Sequence, residues 1–418
     1  MDSQISLYNY LNENINNENI EILKSEIEYR IYHYGNQFKY PYKKRLFSDY
    51  RYIDRYFRSL MRSKNIANDK SNIISNAYFN LEYELTKSGF NVFSPLWDIS
   101  PNKFSPYNIL SIIKIHKLDN TLKNISINEL LSGNISVEIA KAKNILKKYF
   151  ELYKIRAFIT PNDITPFSRI AIDLLKSMNI PTFIFLHGLP ARYNIIDENR
   201  TDYLMVWGKK IKENYIKKGF SSNKIIVVGH PIYQDVINKK LRFNTDNILL
   251  ISKSMGGGQS GDNVVLSDRG NLIVYLLKIQ RVLETIDVKN VRLRLHPSEN
   301  EIWYKENIDT KFFILDHLPI FESLKRSSLV IGPTSTVFMD ATCNGVTYII
   351  YEPNTNGKDL LNYPLVPPFD GTDKRIVVAN SEDELKFILE TKESHDLSFI
   401  NDYISTPFDI NIIKDLIS

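Results

Sequence analysis

The chain has 418 residues, 43% of them apolar, with 25 Tyr, 22 Phe and a formal net charge of +5. That length suits two domains of roughly 150–200 residues each, and apolar runs such as FIFL and YIIY fall far short of the ~20 residues that cross a bilayer. A single cysteine, Cys343, excludes an intramolecular disulfide, suits a reducing cytoplasm and reads as a packed thiol rather than a nucleophile.

The opening MDSQISLYNYLNENINNEN has neither the basic nor the apolar region of a secretory signal. Residues 1–70 read as a polar, Tyr-rich helical extension. Between Lys39 and Lys64 it carries nine Lys/Arg against two Asp. On a helix, Arg51, Arg55, Arg58 and Arg62 form one stripe, with Leu46, Tyr50, Ile53, Phe57, Leu60 and Met61 roughly opposite. Such a helix 46–64 either covers a domain with a solvated basic face or meets anionic lipid or an acidic polymer. No block resembles a nucleic-acid module, so no nucleic-acid partner is expected.

From residue 71 short apolar runs alternate with helical stretches. SNIISN (71–76) is a strand, followed by the turn Asn76-Ala77-Tyr78-Phe79 and a helix through Leu85. A helix spans 136–154, RAFIT (156–160) is a strand and Pro166–Met178 a helix. Strands PTFIFLHG (181–188) and DYLMVWG (202–208) follow, then a helix to Lys218 and strand KIIVVGHP (224–231). After a charged connector, the pattern restarts with NILLISKS (247–254), Gly256-Gly257-Gly258 and a helix from Asn271 to Ile286. Strands VRLRLHP (291–297) and KFFILD (311–316), helix 319–327, strand SLVIG (328–332) and helix 335–343 come next. Strands TYIIYEP (347–353) and RIVVAN (375–380), helix SEDELKFILE and a final helix in DINIIKDLI complete the chain. Strands apolar along their whole length and separated by helices predict parallel sheets covered on both faces. The fold class is therefore α/β, with two Rossmann-like domains facing across a cleft. Their bounds are 71–237 and 247–390, with a helical tail over 391–418.

Open α/β sheets bind ligands at the carboxyl ends of their strands, and there the candidate site residues fall. Gly256, Gly257 and Gly258 follow a strand and precede a helix, where backbone N–H groups reach a phosphate, or else form a flexible loop. His296, before Pro297, is placed to donate to a phosphate or protonate a departing one; a packed loop histidine is the alternative. Ser335 and Thr336 open a helix, as anion contacts, as N-caps, or both. Asp340 one turn on and Glu352 after TYIIY are candidates for a ribose diol.

The run strand–HP, then strand–G-x-[ST]-[ST]-x-x-x-[DE]-A, then G-x-x-x-I-x-Y-E-P resembles the donor domain of bacterial GT-B glycosyltransferases of the capsule and lipopolysaccharide type. His296-Pro297 with Ser335-Thr336 is similar to the HP and Ser-Ser/Thr motifs of sialyl-, polysialyl- and Kdo-transferases, which use CMP-activated sugars. The resemblance implies that His296, Ser335 and Thr336 contact the donor phosphate. Over 156–233, Asp163, Pro166, Arg169, His187-Gly188, Trp207-Gly208 and Gly229-His230-Pro231 resemble the acceptor domain of the same group. It implies a general-base carboxylate in that domain. Asp163 is the candidate by position, with His187 as an acceptor or phosphate contact and Asp197-Glu198 as a further source of a carboxylate. Lys253 or Arg294 would assist His296 in neutralising the leaving group. The expected partners are a nucleotide sugar, an oligosaccharide or lipid-linked glycan acceptor and, through helix 46–64, an anionic membrane. No D-x-D triplet occurs, so neither metal nor other cofactor is expected. The alternatives left open are a UDP-sugar donor and glycerophosphate transfer from CDP-glycerol. UDP-GlcNAc 2-epimerases share the architecture, but their Gly-Gly-x-Gln-Glu-Glu run is replaced here by Ser335-Thr336-Val337-Phe338-Met339-Asp340. A non-catalytic polysaccharide-binding protein is the remaining reading.

Overall fold

The computed structural model describes residues 22, 42–61, 70–78, 81–100, 108–123, 134–163, 165–190, 193, 200–234, 240–252, 270–296, 299, 301–355, 358–359 and 365–417. The apolar runs of the first half become β1 (Ser71–Ser75), β2 (Phe90–Phe93), β3 (Ile155–Thr160), β4 (Thr182–Phe185), β5 (Tyr203–Val206) and β6 (Ile225–Val227). They pair in parallel in the order β2-β1-β3-β4-β5-β6. Those of the second half become β7 (Ile248–Ile251), β8 (Val291–Arg294), β9 (Phe313–Leu315), β10 (Leu329–Gly332), β11 (Thr347–Tyr351) and, after a two-stranded hairpin (Asn354–Thr355 with Lys358–Asp359), β12 (Val378–Ala379). The second sheet is also parallel, ordered β12-β11-β10-β7-β8-β9. Each order reverses once, between β1 and β3 and between β7 and β10, so each sheet has one crevice at its carboxyl edge.

Alternate residues along each strand point to opposite faces, and the cores record it. Ile73, Ala157 and Ile159 face inward, joining Leu249, Val330, Tyr348 and Ile350 of the other sheet in one core that runs through both domains. Ile74 and Phe158 face outward onto α1 (Tyr42–Leu60), α3 (Ile109–Lys123), α4 (Asn134–Leu152) and α5 (Pro166–Ser177). Leu250, Ile331 and Ile349 face outward onto α7 (Gly270–Thr285) and α11 (Glu382–Thr391). The remaining helices are α2 (Leu81–Lys87), α6 (Lys209–Lys217), α8 (Glu301–Asn307), α9 (Ile320–Lys325), α10 (Val337–Cys343), α12 (Ile400–Tyr403) and α13 (Ile412–Ile417). Local sequence starts two of the helices. Thr165 accepts from Ser168 N with Pro166 at the first helical position of α5, and Ser381 accepts from Glu384 N at α11.

Three expectations change. Strand 375–380 shrinks to Val378–Ala379, because Val377 N donates to His395 Nδ1 (2.9 Å) and Arg375 turns to Asp373 and Asp402 instead of continuing the ladder. The tail 391–418 is no separate unit but returns to the first domain. Ser405 N donates to Trp207 O (2.8 Å), Asp409 N to Val228 O (2.9 Å) and Arg156 Nη2 to Ile417 O (3.0 Å). On α1 the inward face is Tyr52, Tyr56 and Ser59, so Tyr50, Phe57 and Met61, expected on the packed side, stand in solvent.

Candidate active site

At the second crevice β7 ends in Ser252, which is buried. Its hydroxyl accepts from His296 N (2.8 Å) and its own N–H donates to Arg294 O (3.0 Å), so the tips of β7 and β8 are locked together. The chain turns after β8, with Glu299 N on His296 O (2.9 Å), and the imidazole is left exposed. Partial desolvation lowers its pKa from the ordinary value, outweighing the Glu299 charge that raises it. His296 is therefore neutral at pH 7, able to donate one hydrogen bond.

The tip of β10 is held from beneath. Tyr348 Oη donates to Pro333 O (2.6 Å), and Glu352 Oε1 accepts from both Thr334 N (2.6 Å) and Thr334 Oγ1 (2.7 Å). A Cβ on Gly332 would lie 2.4 Å from Tyr348 Oη, so only glycine lets that hydroxyl cross to the carbonyl. Glu352 is 3% exposed. It anchors the Pro333–Ser335 turn. The turn it fixes presents Ser335 and Thr336, both part-exposed, above the crevice. Ser335 Oγ accepts from Val337 N (3.3 Å), a capping contact, whereas the Thr336 side chain makes no capping bond.

At the first crevice the tips of β1 and β3 carry Asn76, Tyr78 and Pro161. His187, just after β4, reaches this crevice: its Nδ1 lies 3.2 Å from Pro161 O, and the Tyr78 ring stands edge-on to it at 6.0 Å. A carbonyl only accepts, so Nδ1 carries the hydrogen and Nε2 the lone pair. Desolvation lowers the His187 pKa, keeping that lone pair free at neutral pH. Asp163 is 0% exposed. Its Oδ2 accepts from Arg200 N (3.1 Å), while its carbonyl accepts from Nε of the buried Arg169 (3.0 Å). In this arrangement it ties two loops together beneath the surface.

The two crevices meet. A Cβ on Gly188 would sit 2.6 Å from Thr336 Oγ1, so the His187-Gly188 turn of the first sheet abuts the Ser335-Thr336 turn of the second with no room for a side chain. One helical turn along α10, Asp340 Oδ1 accepts from Tyr233 Oη (2.9 Å) of the first domain. Burial raises the Asp340 pKa and the tyrosine bond opposes it. Asp340 is thus a tie between the two domains. Tyr233 is itself stacked on His230 (4.1 Å), whose ring abuts Trp207 (4.4 Å). Arg294 pairs with Asp316 (3.5 Å) and donates to Leu318 O, in the turn that follows β9. Among the described residues no three His, Cys, Asp or Glu side chains gather as a metal site. Gly256, Gly257, Gly258, Lys253, Pro297, Asp197 and Glu198 lie outside the described residues.

Sequence reading missed Ser252, Thr334, Tyr78 and Tyr233. Ser252 and Thr334 were recoverable as hydroxyl residues within two positions of the ends of apolar strands; Tyr233 had no local signal, because its partner is 107 residues away.

No protein-family profile matches the sequence, and no curated sequence matches it significantly. Solved structures do resemble it. UDP-GlcNAc 2-epimerase from Methanocaldococcus jannaschii, in complex with UDP-GlcNAc and UDP, superposes with a TM-score of 0.50 at 15% identity, over 83% of this chain and 99% of that one. The Neisseria meningitidis UDP-GlcNAc 2-epimerase bound to UDP-GlcNAc gives 0.48 at 13% identity, over 82% and 99%. The wall teichoic acid polymerase TagF gives 0.43 at 14% identity, over 88% and 97%. At these identities the likeness is one of fold: the chain has the GT-B architecture that its strand pattern predicts, two parallel-sheet Rossmann-like domains with flanking helices.

Proposed function

We propose that this protein is a glycosyltransferase that moves a sugar from a nucleotide-activated donor to a glycan acceptor across the cleft. The observation that carries the reading is the apposition of His187-Gly188 with Ser335-Thr336. It brings a neutral imidazole with a free lone pair to the edge of a turn rich in hydroxyls. In an inverting, metal-independent reaction His187 Nε2 removes the acceptor hydroxyl proton as that oxygen bonds to the anomeric carbon. The bond from the anomeric carbon to the donor phosphate breaks, its electron pair leaving with the phosphate. His296 and the Ser335 and Thr336 groups hydrogen-bond the developing charge. The His-Pro and Ser-Thr pairs favour a CMP-activated sugar of the sialic acid or Kdo type as donor and a bacterial surface polysaccharide or lipopolysaccharide as acceptor. A UDP-sugar donor is the second reading, favoured by the UDP-GlcNAc and UDP bound in the M. jannaschii structure.

Thermal-shift titration with CMP, CDP, UDP and GDP tests both. A nucleotide at 100 times its Kd stabilises by about 2.7 kcal/mol, a rise of several degrees for domains of this size. Selective response to CMP supports the first reading and selective response to UDP replaces it with the second. A flat response to all four overturns the enzyme.

A further inference from the structure

Helix α1 presents three faces. Tyr52, Tyr56 and Ser59 are buried against the first domain, with the Tyr52 ring stacked on His116 (4.1 Å) and its hydroxyl on Leu96 O. On the far side Tyr50, Phe57 and Met61 are 72%, 52% and 78% exposed. At about 100° per residue these three fall within about 40° of one another and span about 16 Å of helix. Arg51, Arg55 and Arg58 are all exposed and form a second ridge roughly 110° round the helix. Asp54 pairs with Arg58 (3.0 Å). Over Tyr42–Met61 the sequence has six Lys/Arg (Lys43, Lys44, Arg45, Arg51, Arg55, Arg58) against two Asp (Asp49, Asp54). The outward surface of one anchored helix is thus an apolar ridge beside a cationic one.

We propose that this face of α1 docks the first domain on an anionic phospholipid surface. Tyr50, Phe57 and Met61 enter the headgroup–acyl boundary, while Arg51, Arg55 and Arg58 bond phosphate oxygens. Charge selects this occupant. A second copy meeting the patch about a two-fold axis sets arginine against arginine. A neutral apolar partner offers the guanidinium groups of this ridge no counter-charge. Among the described residues no helix is long and apolar enough to cross a membrane, and surface docking needs none. The inference does not depend on the donor reading, since α1 packs on the outer face of the first sheet and nucleotide titration reports on the cleft.

The test is co-sedimentation of the full chain with phosphatidylcholine vesicles, with and without about one-third phosphatidylglycerol. At about 0.1 M NaCl, where charges are felt over about 10 Å, the protein sediments with the anionic vesicles only. At about 1 M, where that reach is about 3 Å, it is released. Phe57→Ser with Met61→Ser weakens binding roughly tenfold or more, and Arg51→Glu with Arg55→Glu and Arg58→Glu abolishes it. Phe387→Ser, exposed on the second domain, leaves it unchanged. The altered side chains are exposed, so melting temperature and nucleotide response stay as in the parent. Absence of vesicle binding, equal binding to both vesicle types, or binding unaffected by the α1 variants overturns the proposal. So does a dimer by light scattering that the Phe57/Met61 variant dissolves. In an independent measurement, Phe57→Trp gives emission quenched by brominated lipid; an unquenched tryptophan also overturns it.

Discussion

Gly188→Ala is the sharpest probe of the cleft. The added methyl would lie 2.6 Å from Thr336 Oγ1, against about 3.5 Å for a relaxed contact, so the turns must separate by close to 1 Å or Thr336 must leave its rotamer. Overpacking of this degree costs about 1–3 kcal/mol, or roughly 2–12 °C in melting temperature at about 2–4 °C per kcal/mol. Urea unfolding followed by tryptophan fluorescence measures it, and two second-site backgrounds identify its cause. Thr336→Ala removes the opposing atom, so Gly188→Ala should cost less than about 0.5 kcal/mol there. Thr336→Val keeps a methyl in its place, so the full cost should remain. A coupling energy of this size is expected only between touching groups. Equal cost of Gly188→Ala in the parent and in Thr336→Ala would refute the contact, and with it the juxtaposition on which the functional reading rests.

Three further outcomes follow from the same geometry. His187 must be neutral to act, and its pKa lies below the ordinary 6.5; kcat/KM should be level above that pH and fall only on the acid side, and His187→Gln should lower kcat by about 10²–10⁴, a nearly unchanged kcat removing it from the reaction. Tyr233→Phe takes the hydrogen bond from half-buried Asp340 and should destabilise by about 1–3 kcal/mol, with Asp340→Asn, whose amide oxygen still accepts, costing less; the reverse order would contradict the tie. His395 is buried, its Nδ1 accepting from Val377 N and its Nε2 bonded to Tyr348 O (2.7 Å), and burial pushes its pKa down to about 4. Between its ordinary 6.5 and that value the unfolded chain holds the extra proton, so this contribution, up to about 3 kcal/mol, is complete above pH 6.5 and is lost as pH falls toward 4. His395→Gln should flatten that part of the stability–pH curve, and an unchanged slope would refute the assignment.

The parallel sheets were legible because NILLIS, SLVIG and TYIIY are apolar on both faces, as a strand covered by helices on each side requires. Strand Phe90–Phe93 went unread: FNVF is four residues long, and Asn91 interrupts its apolar run while bonding Asn72 (2.9 Å) from the neighbouring strand. The candidate carboxylates show where sequence stops. Asp163, Asp340 and Glu352 all follow strands, where chemistry is expected, yet each bonds a group 37, 107 or 18 residues away that no local pattern announces. His296, Ser335 and Thr336 lie just beyond the carboxyl ends of β8 and β10, where the strand pattern alone puts them. On α1 the periodicity gave the right helix but not which apolar side faces inward, because that depends on Leu96 and His116, remote in the chain.

The returning tail has a mechanical consequence. The chain passes between domains twice, once after Tyr233 and once between His395, bonded to the second sheet, and Tyr403, packed on Gly208 of the first. Both passages line a single hollow of about 430 Å³ bounded by Lys240, Leu241, Ser394, His395, Asp396, Leu397 and Ser398. The two domains are therefore joined by two stretches of chain rather than one, and any rotation of one sheet against the other must bend both.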